Sequence, residues 1–245
     1  MACEDAARIL RLGPCISGLF AVSTINLGPF ESPLLGDSRT ARAFSLPETV
    51  ERAAGFLLLA AAAPAIAASA VAVAALSRRS PFIAHLRVAR EGQPFWMLKL
   101  RTMWPRDGAA GDGRAWIERI IANPDDGGKD PSDPRVSSWF ASFCRRHSID
   151  ELPQLWHVAC GEMSLVGPRP LTRAEIDRYY AENAAELLSV KPGLTGLWQI
   201  YGRSAIRFPR RAAMDLELVR SLTARTYLKI VARTIPAIIC GNGAW

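Results

Sequence analysis

Two adjacent carboxylates, Asp150 and Glu151, lie in the most chemically suggestive stretch of the sequence, Ser148–Trp156. Ser148 followed three residues later by Glu151 is the pattern of a helix-capping box, and Pro153 is tolerated in a first helical turn. The helix macrodipole favours negative charge there, so Asp150 should stay ionised at neutral pH. Neighbours on a helix point about 100° apart. The two acids could therefore act separately, one as a nucleophile and one as a metal ligand. The alternative is that they have no chemical role and are simply the acidic residues commonly found at the start of a helix.

A rigid turn follows this acidic stretch. Gly167-Pro168-Arg169-Pro170 places Arg169 between two prolines, which fix the backbone on both sides. A guanidinium held in this way is suited to bind phosphate through two parallel hydrogen bonds. Arginine in a Pro-rich turn is also common on plain solvent-exposed surface. The turn therefore indicates a phosphate site only in combination with the two acids.

The charge balance indicates an anionic partner. The chain of 245 residues has a net charge of +7 and a pI of about 9.5, which suits nucleic acid, anionic lipid or a phosphorylated substrate. Its basic pairs, such as Arg145-Arg146 and Arg210-Arg211, are spread along the chain without the interleaved aromatic residues that nucleic-acid binding would require. We therefore expect anion-binding pockets and a membrane surface, and no nucleic acid. Five cysteines without a Cys-x-x-Cys pair fit a reduced, cytoplasm-facing environment.

An alanine-rich segment without charge, Ala53–Leu76, precedes the chemical motifs. As a helix it would be about 36 Å long, enough to cross a hydrocarbon core of about 30 Å. Positive charge at both ends, Arg52 and Arg78-Arg79, leaves its orientation open under the positive-inside rule. Pro64 predicts a kink near its middle and hence a re-entrant helix that returns to the same membrane face. A buried core helix is the alternative.

The rest of the sequence predicts an α+β fold, mostly helical. Residues 1–46 are interpreted as a variable, partly disordered lead-in, 47–80 as the membrane helix and 81–245 as the remaining domain. Residues 210–239 are expected to form a helix, either on the membrane surface with a partner helix or against the core. The other expected elements are a strand at Phe95–Arg101, a surface loop at 105–135, helices at Trp139–His147 and Thr172–Leu188, and a glycine-punctuated loop running into a short strand at Lys191–Ile200.

The order and spacing of these motifs resemble the bacterial sugar transferases, the monotopic phosphoglycosyl transferases of polysaccharide assembly. The resemblance covers roughly residues 47–245. The Asp-Glu-Leu-Pro-Gln and Gly-Pro-Arg-Pro blocks together are highly specific, and the proline-containing apolar segment is similar to the family's re-entrant helix. The matching blocks are Lys99–Met103, Asp133-Pro134-Arg135, Arg145 with Ser148–Leu155, Gly161–Leu171 and Lys191–Ser204.

The resemblance implies a Mg²⁺-dependent transfer of sugar-1-phosphate from a UDP-sugar to polyprenol (undecaprenyl) phosphate, with release of UMP. This would initiate exopolysaccharide, capsule or O-antigen synthesis at the cytoplasmic face of the bacterial inner membrane, by a chain in contact with its lipid that could form a homodimer. The position of the family's nucleophile matches Asp150, and that of its metal ligand matches Glu151. Substrate-binding candidates are Lys99, Arg101, Arg145 and Arg169.

Some positions depart from the family pattern. The membrane helix commonly opens with Lys-Arg-x-x-Asp, whereas this chain has Glu51-Arg52-Ala53-Ala54-Gly55 and so lacks the acid expected to anchor that end. Ala63 replaces the serine of a Ser-Pro kink, and Ala89 replaces a turn glycine. None of these changes affects the acidic pair or Arg169. A catalytically idle membrane scaffold, the alternative function, would be expected to have lost such residues.

Overall fold

The computed structural model describes residues 20–22 (backbone only), 44–104, 136, 138–202 and 206–241. The α+β, mostly helical fold is confirmed. The helices are α1 Glu48–Ser77, α2 Trp139–Arg146, α3 Leu155–Cys160, α4 Arg173–Tyr179, α5 Ala184–Leu187, α6 Leu197–Tyr201, α7 Phe208–Ser221 and α8 Ala224–Cys240, with 3₁₀ turns at Arg90–Gly92, Ile149–Gln154 and Ala181–Asn183. The strands are β1 Phe20–Val22, β2 Phe82–Val88, β3 Pro94–Leu100, β4 Ser164–Val166 and β5 Gly193–Thr195.

Helix α1 is long and apolar enough to cross a membrane, and it is the one such helix among the described residues. Only 17% of its most apolar 18-residue window is buried, and Phe56 and Leu57 are exposed. The alternative of a core helix is therefore not supported, because a core helix would be mostly buried. The helix runs without interruption through Pro64, and its re-entrant course stays a prediction.

Strands β2 and β3 form an antiparallel hairpin in which Ile83 pairs with Lys99 and Arg87 with Phe95. β1 extends this sheet in parallel with β2. The expected strand at Phe95–Arg101 is confirmed with a shift of one residue, as β3. Directly opposed residues of an antiparallel pair share one face of the sheet, so the hairpin places Arg87 and Lys99 on the same face.

The capping box expected at Ser148 is wrong. Ser148 has a left-handed φ of 54°, its side chain makes no capping hydrogen bond, and Ile149–Gln154 is a 3₁₀ turn that continues into α3. An αL residue turns the chain sharply between α2 and this turn, which a helical start at Ser148 would not do. A true capping box stands at Thr172 and Glu175, at the start of α4.

Two further elements differ from expectation. The helix expected at Thr172–Leu188 is divided into α4, a 3₁₀ turn and α5, with Ala181 at φ 31°. In Lys191–Ile200 the strand comes first, as β5, and α6 follows. β5 pairs in parallel with β4, and this brings Gly167 so close to Gly193 that a Cβ on either would collide with the other's backbone. Glycine at both positions therefore sets the geometry of the turn that carries Arg169.

The helical prediction for residues 210–239 is confirmed, as the pair α7 and α8. Tyr227 and Ile230 of α8 are buried in a cluster with Val166 and Leu218. Its opposite side carries exposed apolar and basic residues, so α8 is both a core helix and an amphipathic surface. The exposed residues are Leu228, Ile235, Ile239, Arg225, Lys229 and Arg233.

Some sequence predictions lie outside the described residues. They are most of the lead-in at 1–46, the loop at 105–135 with Asp133-Pro134-Arg135, and the end of the Lys191–Ser204 block. The described end of the lead-in is packed against the domain: Phe44 and Leu46 contact the cluster around Tyr227, and Phe44 N–H donates to the Leu222 carbonyl at 3.0 Å.

Candidate active site

A cleft of about 530 Å³ lies between α1, the acidic 3₁₀ turn, α6, α7 and α8. Asp150 and Glu151 both line it, although Asp150 is largely buried. One wall is apolar, with Leu58, Ala61 and Ala62 from the membrane helix. The cleft therefore has a charged part and an apolar part, and the apolar part is formed by one face of the membrane helix. The charged side chains that line it are Arg87, Arg145, Asp150, Glu151, Arg169, Glu175, Arg211 and Asp215.

Glu151 is held by two cations. Lys99 Nζ donates to Glu151 Oε1 at 2.7 Å, and Arg169 Nη1 lies 3.5 Å from the same oxygen. The sequence therefore predicted three residues, far apart in the chain, that the fold brings into one contact group. Burial lowers the pKa of Lys99, and the neighbouring Glu151 opposes that change.

His157 fixes the strand that carries Lys99. Leu98 N–H donates to His157 Nε2 at 3.0 Å, and His157 Nδ1 lies 2.6 Å from Glu162 Oε2. Because Nε2 accepts a hydrogen bond from a backbone N–H, the ring proton belongs on Nδ1, which donates to the Glu162 carboxylate. The imidazole therefore ties β3 to α3, directly behind the acidic turn.

The cationic surroundings also affect His85, which lies on the same face of the hairpin as Lys99. Burial and the nearby Arg87, Lys99 and other basic groups lower the pKa of His85 from 6.5 to about 3. His85 is therefore neutral at physiological pH and adds no further positive charge to the site.

Arg169 lies in the predicted proline turn and is supported by an aromatic platform. Its guanidinium lies 5.5 Å from the Trp198 ring centroid, and that of Arg211 lies 4.8 Å from the same centroid. Such cation–π contacts are favourable and restrict guanidinium motion. Arg169 therefore bridges two parts of the cleft, the Glu151 carboxylate and the Trp198 ring.

The other two substrate-binding candidates are placed differently. Arg145 lines the cleft at the end of α2. Arg101 is not among the residues that line it; its Nε donates to the Ser80 carbonyl at 2.8 Å, beside the end of the membrane helix. Burial and the adjacent Arg79 lower the pKa of Arg101.

Several cleft residues were not predicted from the sequence. Arg87 was not among the predicted site residues, although the strand register aligns it with Phe95 on the Lys99 face. Arg211 was noted only as part of a basic pair. Asp215, on α7, is almost fully buried, receives a hydrogen bond from the Tyr180 hydroxyl at 2.8 Å, and has its pKa raised to about 7 by burial. An acid among Leu, Val and Met on an amphipathic helix was the available signal.

Comparison with known proteins adds to this geometry. Residues 43–241 match the profile of the family described as bacterial sugar transferase. The chain belongs to the bacterial sugar transferase family. It is 40% identical over 173 residues to the exopolysaccharide production protein ExoY of Sinorhizobium fredii, covering 68% of this chain and 73% of that protein.

Two other relatives carry more specific names. A UDP-glucose:undecaprenyl-phosphate glucose-1-phosphate transferase of Caulobacter vibrioides is 35% identical over 199 residues, with 78% of this chain and 69% of that protein covered. An undecaprenyl-phosphate galactose phosphotransferase of Salmonella typhimurium is 33% identical over 168 residues, with 66% and 34% covered. The chain thus matches about a third of the Salmonella protein, and about a third of the UDP-galactose-lipid carrier transferase of Erwinia amylovora.

The membrane helix of this sugar transferase is anchored despite the missing family acid. Glu51 Oε1 lies 2.5 Å from Ser164 Oγ, accepts the Leu165 N–H at 3.0 Å, and accepts the Tyr227 hydroxyl at 2.8 Å. The expectation that this end lacks an acidic anchor is therefore wrong, because Glu51 supplies one four residues earlier. Gly55, where the family commonly has the acid, is instead packed against Val158 and Ala159.

The donor set for magnesium is small. No group of three or more His, Cys, Asp or Glu side chains that could hold a metal occurs in the described part of the chain. Mg²⁺ is, however, commonly bound by one or two carboxylates together with water and substrate phosphates. Glu151 lines the cleft with about a fifth of its side chain exposed, and so fits a role of this kind.

Proposed function

We propose that this protein transfers sugar-1-phosphate from a UDP-sugar to polyprenol phosphate, releasing UMP, through a covalent phosphosugar on Asp150. One observation carries the proposal. The Asp150–Glu151 pair lies in a cationic cleft, and the membrane helix forms one wall of that cleft. The names of the Caulobacter and Salmonella relatives include undecaprenyl phosphate, which supports the same class of acceptor.

In the first step, an Asp150 carboxylate oxygen attacks the phosphorus that bears the sugar. A bond forms between that oxygen and the phosphorus, the bond from the phosphorus to the bridging oxygen breaks, and UMP leaves with the electron pair. Two negative groups must approach each other in this step. Arg169, Arg145 and Arg87 line the cleft, and their positive charge lowers the repulsion and stabilises the charge that develops on the leaving group. Lys99 is not among the lining residues and adds its charge from behind Glu151.

In the second step, a phosphate oxygen of the polyprenol phosphate attacks the same phosphorus. The bond from the phosphorus to Asp150 breaks and the carboxylate is restored, so the product is a polyprenol diphosphate sugar. The lipid chain needs an apolar path into the cleft, and the Leu58, Ala61 and Ala62 wall of α1 provides one. A nucleophile that serves both partners in turn allows one site to perform both displacements.

In this proposal Glu151 is the ligand of Mg²⁺. When bound there with the substrate phosphates, Mg²⁺ would neutralise phosphoryl oxygen charge. Lys99, which contacts Glu151, is placed to orient the carboxylate. We place the reaction at the cytoplasmic face of the bacterial inner membrane, as the initiating step of exopolysaccharide, capsule or O-antigen synthesis.

The test is UMP release from UDP-sugars in vesicles that contain undecaprenyl phosphate and Mg²⁺. Asp150→Asn keeps the side-chain shape and should abolish release, while intact-mass measurement of the unsubstituted enzyme without acceptor should detect a phosphosugar adduct. UMP release that survives Asp150→Asn would contradict the assignment of the nucleophile. A folded enzyme with no activity on any UDP-sugar would instead favour the idle scaffold.

A further inference from the structure

Three buried polar atoms on one side of the cleft have no hydrogen-bond partner within the described part of the chain. They are Asp215 Oδ1, Trp198 Nε1 and Gln199 Oε1. All three side chains line the cleft, on the adjacent helices α6 and α7. Buried polar groups are almost always hydrogen-bonded, so a cluster of unpartnered atoms indicates a missing partner.

The surrounding contacts hold these groups in place. The Tyr180 hydroxyl donates to Asp215 Oδ2 at 2.8 Å and leaves Oδ1 directed elsewhere. The Trp198 indole and the Arg169 backbone N–H are both near enough to Asp215 to lower its pKa as hydrogen-bond donors do, but neither Trp198 Nε1 nor Asp215 Oδ1 has a partner at hydrogen-bond distance and angle among the described residues. Arg169 and Arg211 both contact the Trp198 ring, which fixes the indole and therefore the direction of Nε1.

The chemistry of the three atoms selects a class of ligand. A carboxylate oxygen and an amide oxygen accept hydrogen bonds, whereas an indole nitrogen only donates one. A hydroxyl group both donates and accepts, so a ring with several hydroxyls can satisfy all three. Phosphate oxygens would suit the indole, but they cannot donate a hydrogen bond to the Gln199 amide oxygen, and an ionised Asp215 would repel them, so this side of the cleft is not a further phosphate site.

We infer that Asp215, Trp198 and Gln199 form a subsite that binds hydroxyl groups of a sugar ring in the donor nucleotide. The inference rests on the proposed function and adds the part of the site that recognises the donor. Its position favours the transferred sugar. Arg169 links the Trp198 ring to Glu151, and the attacked phosphorus bears that sugar directly, whereas the ribose lies one phosphate further away.

The first test uses Trp198→Phe, which removes the indole N–H and keeps an aromatic ring beneath both arginines. The enzyme is assayed with UDP-sugars that each lack one hydroxyl, either on the transferred sugar or on the ribose. The variant should lower kcat/KM for the complete donor roughly three- to tenfold, as expected for one neutral hydrogen bond. The penalty for removing one particular hydroxyl should then disappear, because its partner is already absent.

The location of that hydroxyl identifies the ring. A lost penalty on the transferred sugar or on the ribose would support the subsite and assign it to that ring. Asp215→Asn, with Tyr180 still able to donate to it, should show the same pattern with a larger fall, roughly ten- to a hundredfold. Trp156→Phe is the matched control, because Trp156 is partly exposed and is not among the residues that line the cleft.

Unchanged hydroxyl penalties in both folded variants would overturn the inference and leave the three atoms a structural role. Thermal unfolding of each variant shows whether it is folded, and Trp198→Phe provides the test if Asp215→Asn does not fold. Failure of the proposed function is a different result: the unsubstituted enzyme would release no UMP from any UDP-sugar, or would release it independently of Asp150.

Discussion

Glu51 and Glu151 are both largely shielded from solvent, but they are held in opposite ways. Glu51 Oε1 is met by neutral groups, namely the Ser164 and Tyr227 hydroxyls and the Leu165 N–H. Glu151 Oε1 is met by the Lys99 ammonium and the Arg169 guanidinium. The first carboxyl group joins the membrane helix to β4 and α8, and the second faces the cleft.

This difference between neutral and cationic partners indicates that Glu51 anchors the membrane helix and that Glu151 acts in catalysis. The donors around Glu51 cannot release a proton at ordinary pH, and burial together with the bond to Glu51 raises the pKa of Tyr227 still further. If Glu51 were lost, the Ser164 hydroxyl could still donate to the Val166 carbonyl at 2.9 Å, but the Tyr227 hydroxyl and the Leu165 N–H would lose their acceptor. Lys99 can respond to a lost partner by losing its proton, since burial already lowers its pKa. We therefore expect Glu51 to control stability and Glu151 to control turnover.

The largest expected effect is that of Glu151→Gln on activity. The substitution keeps the shape but removes the charge that binds Lys99 and, in the proposed function, Mg²⁺. UMP release should fall about 100- to 1000-fold, the usual loss for one preorganised electrostatic contact in an active site. Glu186→Gln is the control, because Glu186 forms an ion pair with Arg220 on the surface and should leave activity unchanged. Equal activities of the two variants would contradict the catalytic role of Glu151.

Glu51→Leu should have the opposite profile. Leaving the Tyr227 hydroxyl and the Leu165 N–H without an acceptor should lower the free energy of unfolding by about 2–4 kcal/mol. The measurement is chemical unfolding in detergent micelles, together with UMP release per folded molecule, which should change little. Glu51→Gln retains an acceptor oxygen and should lose less stability. A stable but inactive Glu51→Leu variant would reverse the comparison.

Part of the site could be predicted from sequence because its chemistry is carried by two short motifs. Asp150 and Glu151 lie in one and Arg169 in the other, the prolines and acids of both have direct physical meaning, and the fold brings Arg169 to Glu151 as expected for a phosphate site. The membrane helix was predictable for a similar reason, since twenty or so uncharged residues suffice to indicate one.

The rest depends on packing between distant segments. Arg87 reaches the cleft through the register of the β2–β3 hairpin, and Asp215 reaches it through α7. The capping box predicted at Ser148 was wrong because the left-handed Ser148 is set by the connection to α2, whereas Thr172 and Glu175, which have the same spacing and were not singled out from the sequence, do form a capping box. Glu51 was overlooked because an acid beside an apolar helix resembles a solvated helix end until its three donors are seen.

The pH dependence of stability provides a third test, at the cationic site alone. The pKa of His85 falls from 6.5 to about 3 on folding, mainly through burial and then through Arg87. Below pH 6.5 the unfolded chain therefore binds a proton at this position that the folded chain does not, so the contribution of His85 to stability decreases as the pH falls. The slope is at most about 1.4 kcal/mol per pH unit, or about 2 kcal/mol in total between pH 6.5 and 5.

His85→Asn should remove the His85 contribution, so its unfolding free energy, measured by chemical unfolding at several pH values between 6.5 and 5, should fall less than that of wild type on acidification. Asp215, whose pKa burial raises to about 7, titrates in the same range with the opposite sign, but it is present in both proteins and cancels in the comparison. Glu51→Leu should keep the wild-type slope, because the anchor lies outside the group of charges around His85. Identical slopes for wild type and His85→Asn would show that His85 accepts a proton freely in the folded protein.

The smallest effect concerns Gly55, one turn beyond Glu51. Replacing glycine by alanine within a helix normally stabilises it by about 0.5–1 kcal/mol. Here an added Cβ would lie 2.8 Å from both the Ala159 nitrogen and Val158 Cγ1. It would therefore push α1 away from α3, and Gly55→Ala should lose about 1–2 kcal/mol.

The Gly55 contact with α3 and the Glu51 anchor depend on each other. Close approach of α1 to α3 at Gly55 is what allows Glu51 to reach its donors, so the two substitutions should not be additive. In the Glu51→Leu background Gly55→Ala should cost less, which a double-mutant cycle in unfolding free energy would detect. Ala53→Gly, at an exposed position of the same helix, supplies the backbone reference. Strict additivity would mean that the glycine contact and the carboxyl anchor hold the membrane helix independently.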